Sequence, residues 1–108
     1  MKIVKTAKYR SDLQKKIIKK HMNKELATIE AIEVLMVESE NMKKLMLNPL
    51  ARVYNINKKS GILKEIYTAN VNKKIRMYIK PIGEYPYKLE EIVEIELEQI
   101  DDRHYGEG

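Results

Sequence analysis

The sequence has no cysteine, no tryptophan and no phenylalanine in its 108 residues. Without cysteine, disulfides, thiolate metal sites and thiol nucleophiles are excluded. Without tryptophan and phenylalanine, the core has to be assembled from Ile, Leu, Val, Met and Tyr. Glycine and proline are scarce, at four and three residues, and no phosphate-binding glycine loop or serine triad is visible. Long apolar runs are also missing. Residues 1–7 are interrupted by Lys2 and Lys5, and no segment approaches the ~18 apolar residues of a membrane span. The expected location is the cytoplasm, with no membrane partner.

What is present suits one compact domain over residues 1–108. At 44% hydrophobic and 34% charged, the chain is apolar enough for a core and too apolar for a disordered segment. The net charge of +5 is unevenly spread. Residues 1–22 carry Lys2, Lys5, Lys8, Arg10, Lys15, Lys16, Lys19 and Lys20 against Asp12 alone, whereas residues 84–108 are rich in Glu and Asp. A basic first part suits a polyanion or an acidic partner, and mutual neutralisation of the two halves suits the same pattern equally.

Residues 1–5 read as a short strand. Ser11 or Asp12 can cap a first helix with Tyr9, Leu13, Ile17 and Met22 at helical spacing. Asn23 breaks it and can cap a second helix over about residues 24–37, with Leu26, Ile29, Ile32, Leu35 and Met36 as its stripe. So tight a connection predicts an antiparallel helix hairpin. A further helical turn carries Met42, Leu45 and Met46 and ends at Asn48-Pro49. From Ile62 the period changes to two: residues 62–70, then Ile75, Met77 and Ile79, then Val93, Ile95 and Leu97 alternate with polar neighbours. The expected architecture is α+β, with two N-terminal helices packed on an antiparallel sheet that buries those six apolar residues.

That order resembles the RelE/ParE-type toxins of bacterial toxin–antitoxin systems. Three stretches carry the likeness. Ile62-Leu63-Lys64-Glu65-Ile66-Tyr67-Thr68-Ala69-Asn70, a turn, and Lys74-Ile75-Arg76-Met77-Tyr78 look like the family's central hairpin with its strand arginine. Asn48-Pro49-Leu50 looks like its link from helices to sheet. Asp101-Asp102-Arg103-His104-Tyr105-Gly106 ends much as HigB-like and YoeB-like members do, in histidine and tyrosine. The likeness implies a ribosome-dependent endoribonuclease that cleaves mRNA without metal or other cofactor and is held inactive by a cognate antitoxin. It carries Arg76 onto the phosphate-contacting arginine and His104 and Tyr105 onto the terminal catalytic pair. Tyr67 and Ala69 stand where RelE-like members have lysines, which favours a histidine-based mechanism.

Such cleavage needs a base for the 2′-hydroxyl, an acid for the leaving 5′-oxygen and cations for the phosphorane. His104 suits proton transfer, Arg76 offers a fork of donors and Tyr105 can stack on a base. Lys64, Lys73, Lys74 and Lys80 lie on or near the hairpin and can bind RNA. Asp101 and Asp102 can orient the histidine. Cross-strand pairing of Arg76 and Lys80 with acids of the last strand is the structural alternative. Two further functions remain open: a ParE-like protein that inhibits DNA gyrase by binding, and an inactive module that only binds a partner.

Overall fold

A computed structural model of the chain describes residues 1–102. Strand β1 (Lys2–Lys5) runs into helix α1 (Ala7–Asp12), which continues as a π-helical segment over Leu13–Ile18. Helix α2 (Asn23–Glu38) follows, then the short α3 (Met42–Leu47) and α4 (Pro49–Val53). Strands β2 (Asn57–Lys58), β3 (Tyr67–Asn70), β4 (Arg76–Pro81) and β5 (Glu94–Asp101) complete a sheet of order β1-β5-β4-β3-β2.

The sheet is mixed, which corrects the expectation of an antiparallel one. Strands β2 to β5 pair antiparallel, but β1 lies parallel to β5. The helices and the rest of the sheet separate β1 from β5 in the chain, so no hairpin constrains them and a long crossover allows the parallel pairing. Tyr9 and Ile17 from the first helical stretch, and Ile29, Ile32 and Met36 from α2, join Met77, Ile79, Ile95, Leu97 and Ile100 in one core. Ile75 is buried as expected, but Val93 is 57% exposed. β5 begins only at Glu94, and Ile92, just before it, fills the buried place instead.

The first helix also starts earlier than its sequence suggests. Thr6 caps it, its Oγ1 accepting from the Tyr9 N–H at 3.0 Å and donating to the Glu98 carbonyl at 2.8 Å. Asp12 lies inside the helical stretch and is buried. Met22, not Asn23, precedes the first turn of α2, and no side chain caps it. His21 adopts φ +56 where the chain turns into α2, and its N–H donates to the Ile18 carbonyl at 3.0 Å. The first strand of the hairpin is shorter than residues 62–70. Gly61, at φ +66, opens a 3-10 turn in which Lys64 N–H donates to Gly61 and Ile66 N–H to Leu63, leaving Ile62 fully exposed.

Two features fix the far end of β5. β1 stops at Lys5, opposite Leu97, so the margin of β5 beyond that point has no strand beside it. The helical stretch supplies the missing partners: Ile100 N–H donates to Asp12 Oδ2 at 3.0 Å, and Lys16 Nζ donates to the Ile100 carbonyl at 3.0 Å. Lys16 also pairs with Asp12 and Asp102, at 3.6 and 3.5 Å. The second feature is a bulge. Tyr78 pairs with Gln99 but Ile79 pairs with Leu97, so Glu98 is an extra residue on β5. Leu97 and Ile100 both face the core as a result.

Candidate functional site: the open face of the sheet

The pairing register decides which side chains share the face turned away from the helices. Asn70 lies opposite Arg76 and Arg76 opposite Asp101; Thr68 lies opposite Tyr78 and Tyr78 opposite Gln99. Met77, between Arg76 and Tyr78, is fully buried in the core, so its two neighbours point the other way. Asn57 pairs with Thr68, and Lys59, two residues on, shares its side of the sheet; the Lys59 N–H continues the ladder by donating to Ile66 at 2.9 Å.

The centre of this face joins three residues. The Tyr78 hydroxyl donates to Asp101 Oδ2 at 3.0 Å, and Arg76 stands beside them in register with Asp101. Burial draws the Arg76 guanidinium below the usual arginine range, while Tyr78 and Asp101 act in the opposite direction. Such a guanidinium keeps its charge at neutral pH. Lys59 is lowered by burial and then by the positive charge of Arg76, so the two cations share one field. A half-buried cationic face with a planar donor fork suits a phosphate, which would relieve that repulsion.

The other expected residues are placed as follows. His104 and Tyr105 lie outside the described residues. Lys73 and Lys74 are exposed in the turn just before Arg76, where Asn72 Oδ1 accepts from the N–H groups of Lys74 and Ile75, both at 2.7 Å. Lys64 precedes the Tyr67 end of β3, whereas Arg76 pairs with Asn70 at the other end, and the Lys64 Nζ is 5.5 Å from the ring centroid of Tyr85. Lys80 stands opposite Glu96, and its charge also bears on Glu98. Asp102 pairs with Lys16, and Asp101 accepts from Tyr78. Lys16 therefore braces β5, joining its carbonyl at Ile100 to Asp12 and Asp102.

Tyr78 and Lys59 were not singled out in the sequence. The alternation that placed Arg76 outward places Tyr78 there as well, so Tyr78 could have been found. Lys59 could not, because it falls in the Asn57-Lys58-Lys59-Ser60-Gly61 segment whose composition reads as a loop. Among the described residues, no group of three or more His, Cys, Asp or Glu is placed to hold a metal ion. No described helix is long and apolar enough to cross a membrane.

No family model matches the chain, and no curated protein matches it. Solved structures do. A mutant of YafQ from E. coli superposes with a TM-score of 0.65 at 16% identity, over 93% of this chain and 90% of that one. YafQ in the E. coli DinJ-YafQ toxin-antitoxin complex gives 0.62 at 16% identity, over 93% and 89%. The YoeB/ParE toxin from Agrobacterium tumefaciens gives 0.62 at 14% identity, over 97% and 100%. At these identities the likeness is one of fold, and the chain has the RelE/ParE-type toxin fold of YafQ and YoeB/ParE.

Proposed function

We propose that the protein is the toxin of a type II toxin–antitoxin system and cleaves mRNA on the ribosome, in the cytoplasm, by general acid–base chemistry without metal. The observation that carries this reading is Arg76. It stands on the open face of a RelE/ParE-type sheet, beside Tyr78 and Asp101, with Lys59 sharing its field. Arg76 holds the scissile phosphate and stabilises the charge that builds on it. His104 transfers a proton between the 2′-hydroxyl, the leaving 5′-oxygen and solvent, and Tyr105 positions a base. Lys73 and Lys74 add positive potential at the entrance to the face. A cognate antitoxin restrains the activity; an acidic segment of it would complement Lys15, Lys19 and Lys20.

The test is cutting of ribosome-bound mRNA by the wild type, Arg76→Ala and His104→Ala. The wild type should cut. His104→Ala should lose about 10²–10⁴-fold while staying folded, and Arg76→Ala should lose about 10²-fold or more. Undiminished cutting by His104→Ala would remove the histidine from the mechanism. Inhibition of DNA supercoiling by gyrase, with no RNA cut, would replace the proposal with the gyrase-binding alternative. Absence of both activities would leave the partner-binding module.

A further inference from the structure

The outer side of α2 is apolar where an amphipathic helix should be polar. Ile29, Ile32 and Met36 turn inward and are buried. Ala31, Val34 and Val37 lie on the other side and are exposed, the two valines at 54% and 55%. A surface helix ordinarily buries one stripe and presents polar residues elsewhere; α2 carries a second stripe. Helix α4 enlarges it. Leu50, 46% exposed, lines a hollow together with Ala31, Val34 and Tyr54. That hollow adjoins a second one in which Val34 and Val37 lie among Glu30, Glu33 and Glu38. Single exposed aliphatic residues are ordinary, but a continuous patch with a polar rim marks an interaction surface.

The rim identifies the occupant. Glu30 and Glu38 flank the valines on α2, and Glu40 follows, with Lys44 as the cation nearby. On a chain of net charge +5 this side is locally acidic. Self-association by the same patch would set acid against acid: Glu30 and Glu38 lie four residues on either side of Val34, so a two-fold contact centred on Val34 brings Glu30 of one copy to Glu38 of the other. We infer that this groove between α2 and α4 docks an amphipathic helix of a different protein, one whose apolar stripe is flanked by Lys or Arg. The valines and Leu50 supply the contact area, and the glutamates set polarity and choice of partner. The groove is on the side of α2 away from the sheet, so this inference does not depend on RNA cleavage. It also calls for a partner segment of opposite charge to the acidic one that would complement Lys15, Lys19 and Lys20.

Two synthetic peptides of about 18 residues, long enough to hold a helix, provide the test. Both carry leucines at i, i+3, i+4 and i+7, one flanked by Lys and the other by Glu. Binding is followed by titration into isotope-labelled full-length protein. The Lys-flanked peptide should bind, shift Ala31, Val34, Val37 and Leu50, and exceed the Glu-flanked peptide by about tenfold. The double variant Val34→Gln, Leu50→Gln should weaken it about tenfold or more. The double variant Glu30→Lys, Glu38→Lys should reverse the preference between the peptides, which a merely misfolded variant would not do. Equal binding of the two peptides, shifts confined to the sheet, or indifference to the Val34 and Leu50 substitutions would overturn the inference. So would a dimer of the free protein that the same substitutions dissociate.

Discussion

Asp12, deep in the first helical stretch, holds the N–H of Ile100 near the end of β5, across 3.0 Å. The same carboxylate is 3.6 Å from Lys16, which in turn donates to the carbonyl of Ile100. Two side chains from one helix thus complete the hydrogen bonding of a strand margin that β1 is too short to reach. Asp12→Ala should leave a buried N–H without an acceptor and the half-buried Lys16 without one of its counter-charges. The expected cost is about 1–3 kcal/mol in urea denaturation. Lys16→Met should cost less, about 1 kcal/mol, because Asp12 keeps Lys8 at 3.4 Å. A larger loss for Lys16→Met than for Asp12→Ala would contradict this assignment of roles.

Arg76 and Lys59 should both register in the salt dependence of RNA binding. Each cation that contacts a phosphate of a single strand contributes a slope of about 0.7 in log affinity against log salt. Arg76→Ala and Lys59→Met should each flatten the slope by about that amount with a labelled single-stranded oligonucleotide. Lys64→Met should change it less, since Lys64 lies beside Tyr85 and precedes the Tyr67 end of β3, whereas Arg76 pairs with Asn70 at the other end. An unchanged slope for Lys59→Met would take Lys59 off the RNA surface.

Tyr78→Phe tests the centre of the face. The hydroxyl donates to the Asp101 carboxylate at 3.0 Å, and its loss should cost about 1.5–3 kcal/mol of stability. Asp101 then loses a donor beside Arg76 and draws more of that guanidinium toward itself. Cutting of ribosome-bound mRNA should fall, with the folded population unchanged at 25 °C. Full activity in Tyr78→Phe would mean that the Tyr78–Asp101 contact has no part in presenting Arg76.

Alkaline pH should unfold the protein through its tyrosines. Burial, then the hydrogen bond to Glu33, raises the Tyr9 phenol far above its ordinary value. Burial, then the charge of Glu65, pushes Tyr87 up to about 12. An unfolded tyrosine loses its proton near ~10, so above that pH the unfolded chain binds fewer protons than the folded one. The stabilisation is complete below ~10 and is lost as pH rises toward the folded values, at up to about 1.4 kcal/mol per pH unit for Tyr9. Tyr9→Phe should flatten this limb between about pH 10 and 11.5. It should also be less stable at neutral pH by about 1.5–3 kcal/mol, because Tyr9 donates to Glu33 at 2.6 Å. Equal slopes for the two proteins would place the alkaline transition elsewhere.

The parts that the sequence made legible are those with an uninterrupted period. Met77 and Ile79 alternate with Arg76 and Tyr78, so the core face and the outward position of Arg76 could be read directly. The stripe of Ile29, Ile32 and Met36 marked the inner side of α2 in the same way. Long-range pairing left no such trace. Nothing local in Lys2–Lys5 says that it lies parallel to β5, and nothing around Asp12 says that its acceptor serves Ile100 instead of a helix start. Val93 misled because its spacing continues a strand that the backbone has not yet begun. The second apolar stripe on α2 was spread among alanine and valine, residues that helices carry on many faces, and its exposure depends on what the fold leaves uncovered.

The extra residue at Glu98 acts as a change of parity in β5. Before it, odd-numbered positions, Ile95 and Leu97, enter the core; after it, an even-numbered one does, Ile100. Removing Glu98 would therefore restore strict alternation, with Leu97 opposite Ile79, Gln99 opposite Tyr78 and Ile100 opposite Met77, and every pair of the ladder kept. Closing the bulge with Glu98 still in place would do the opposite: counted regularly from Leu97, Gln99 and Asp101 would turn to the core and Ile100 to the open face. The odd-to-even change is thus what lets a strand whose count is out of phase keep Ile100 inside and set Asp101 beside Arg76, with no substitution at the site itself.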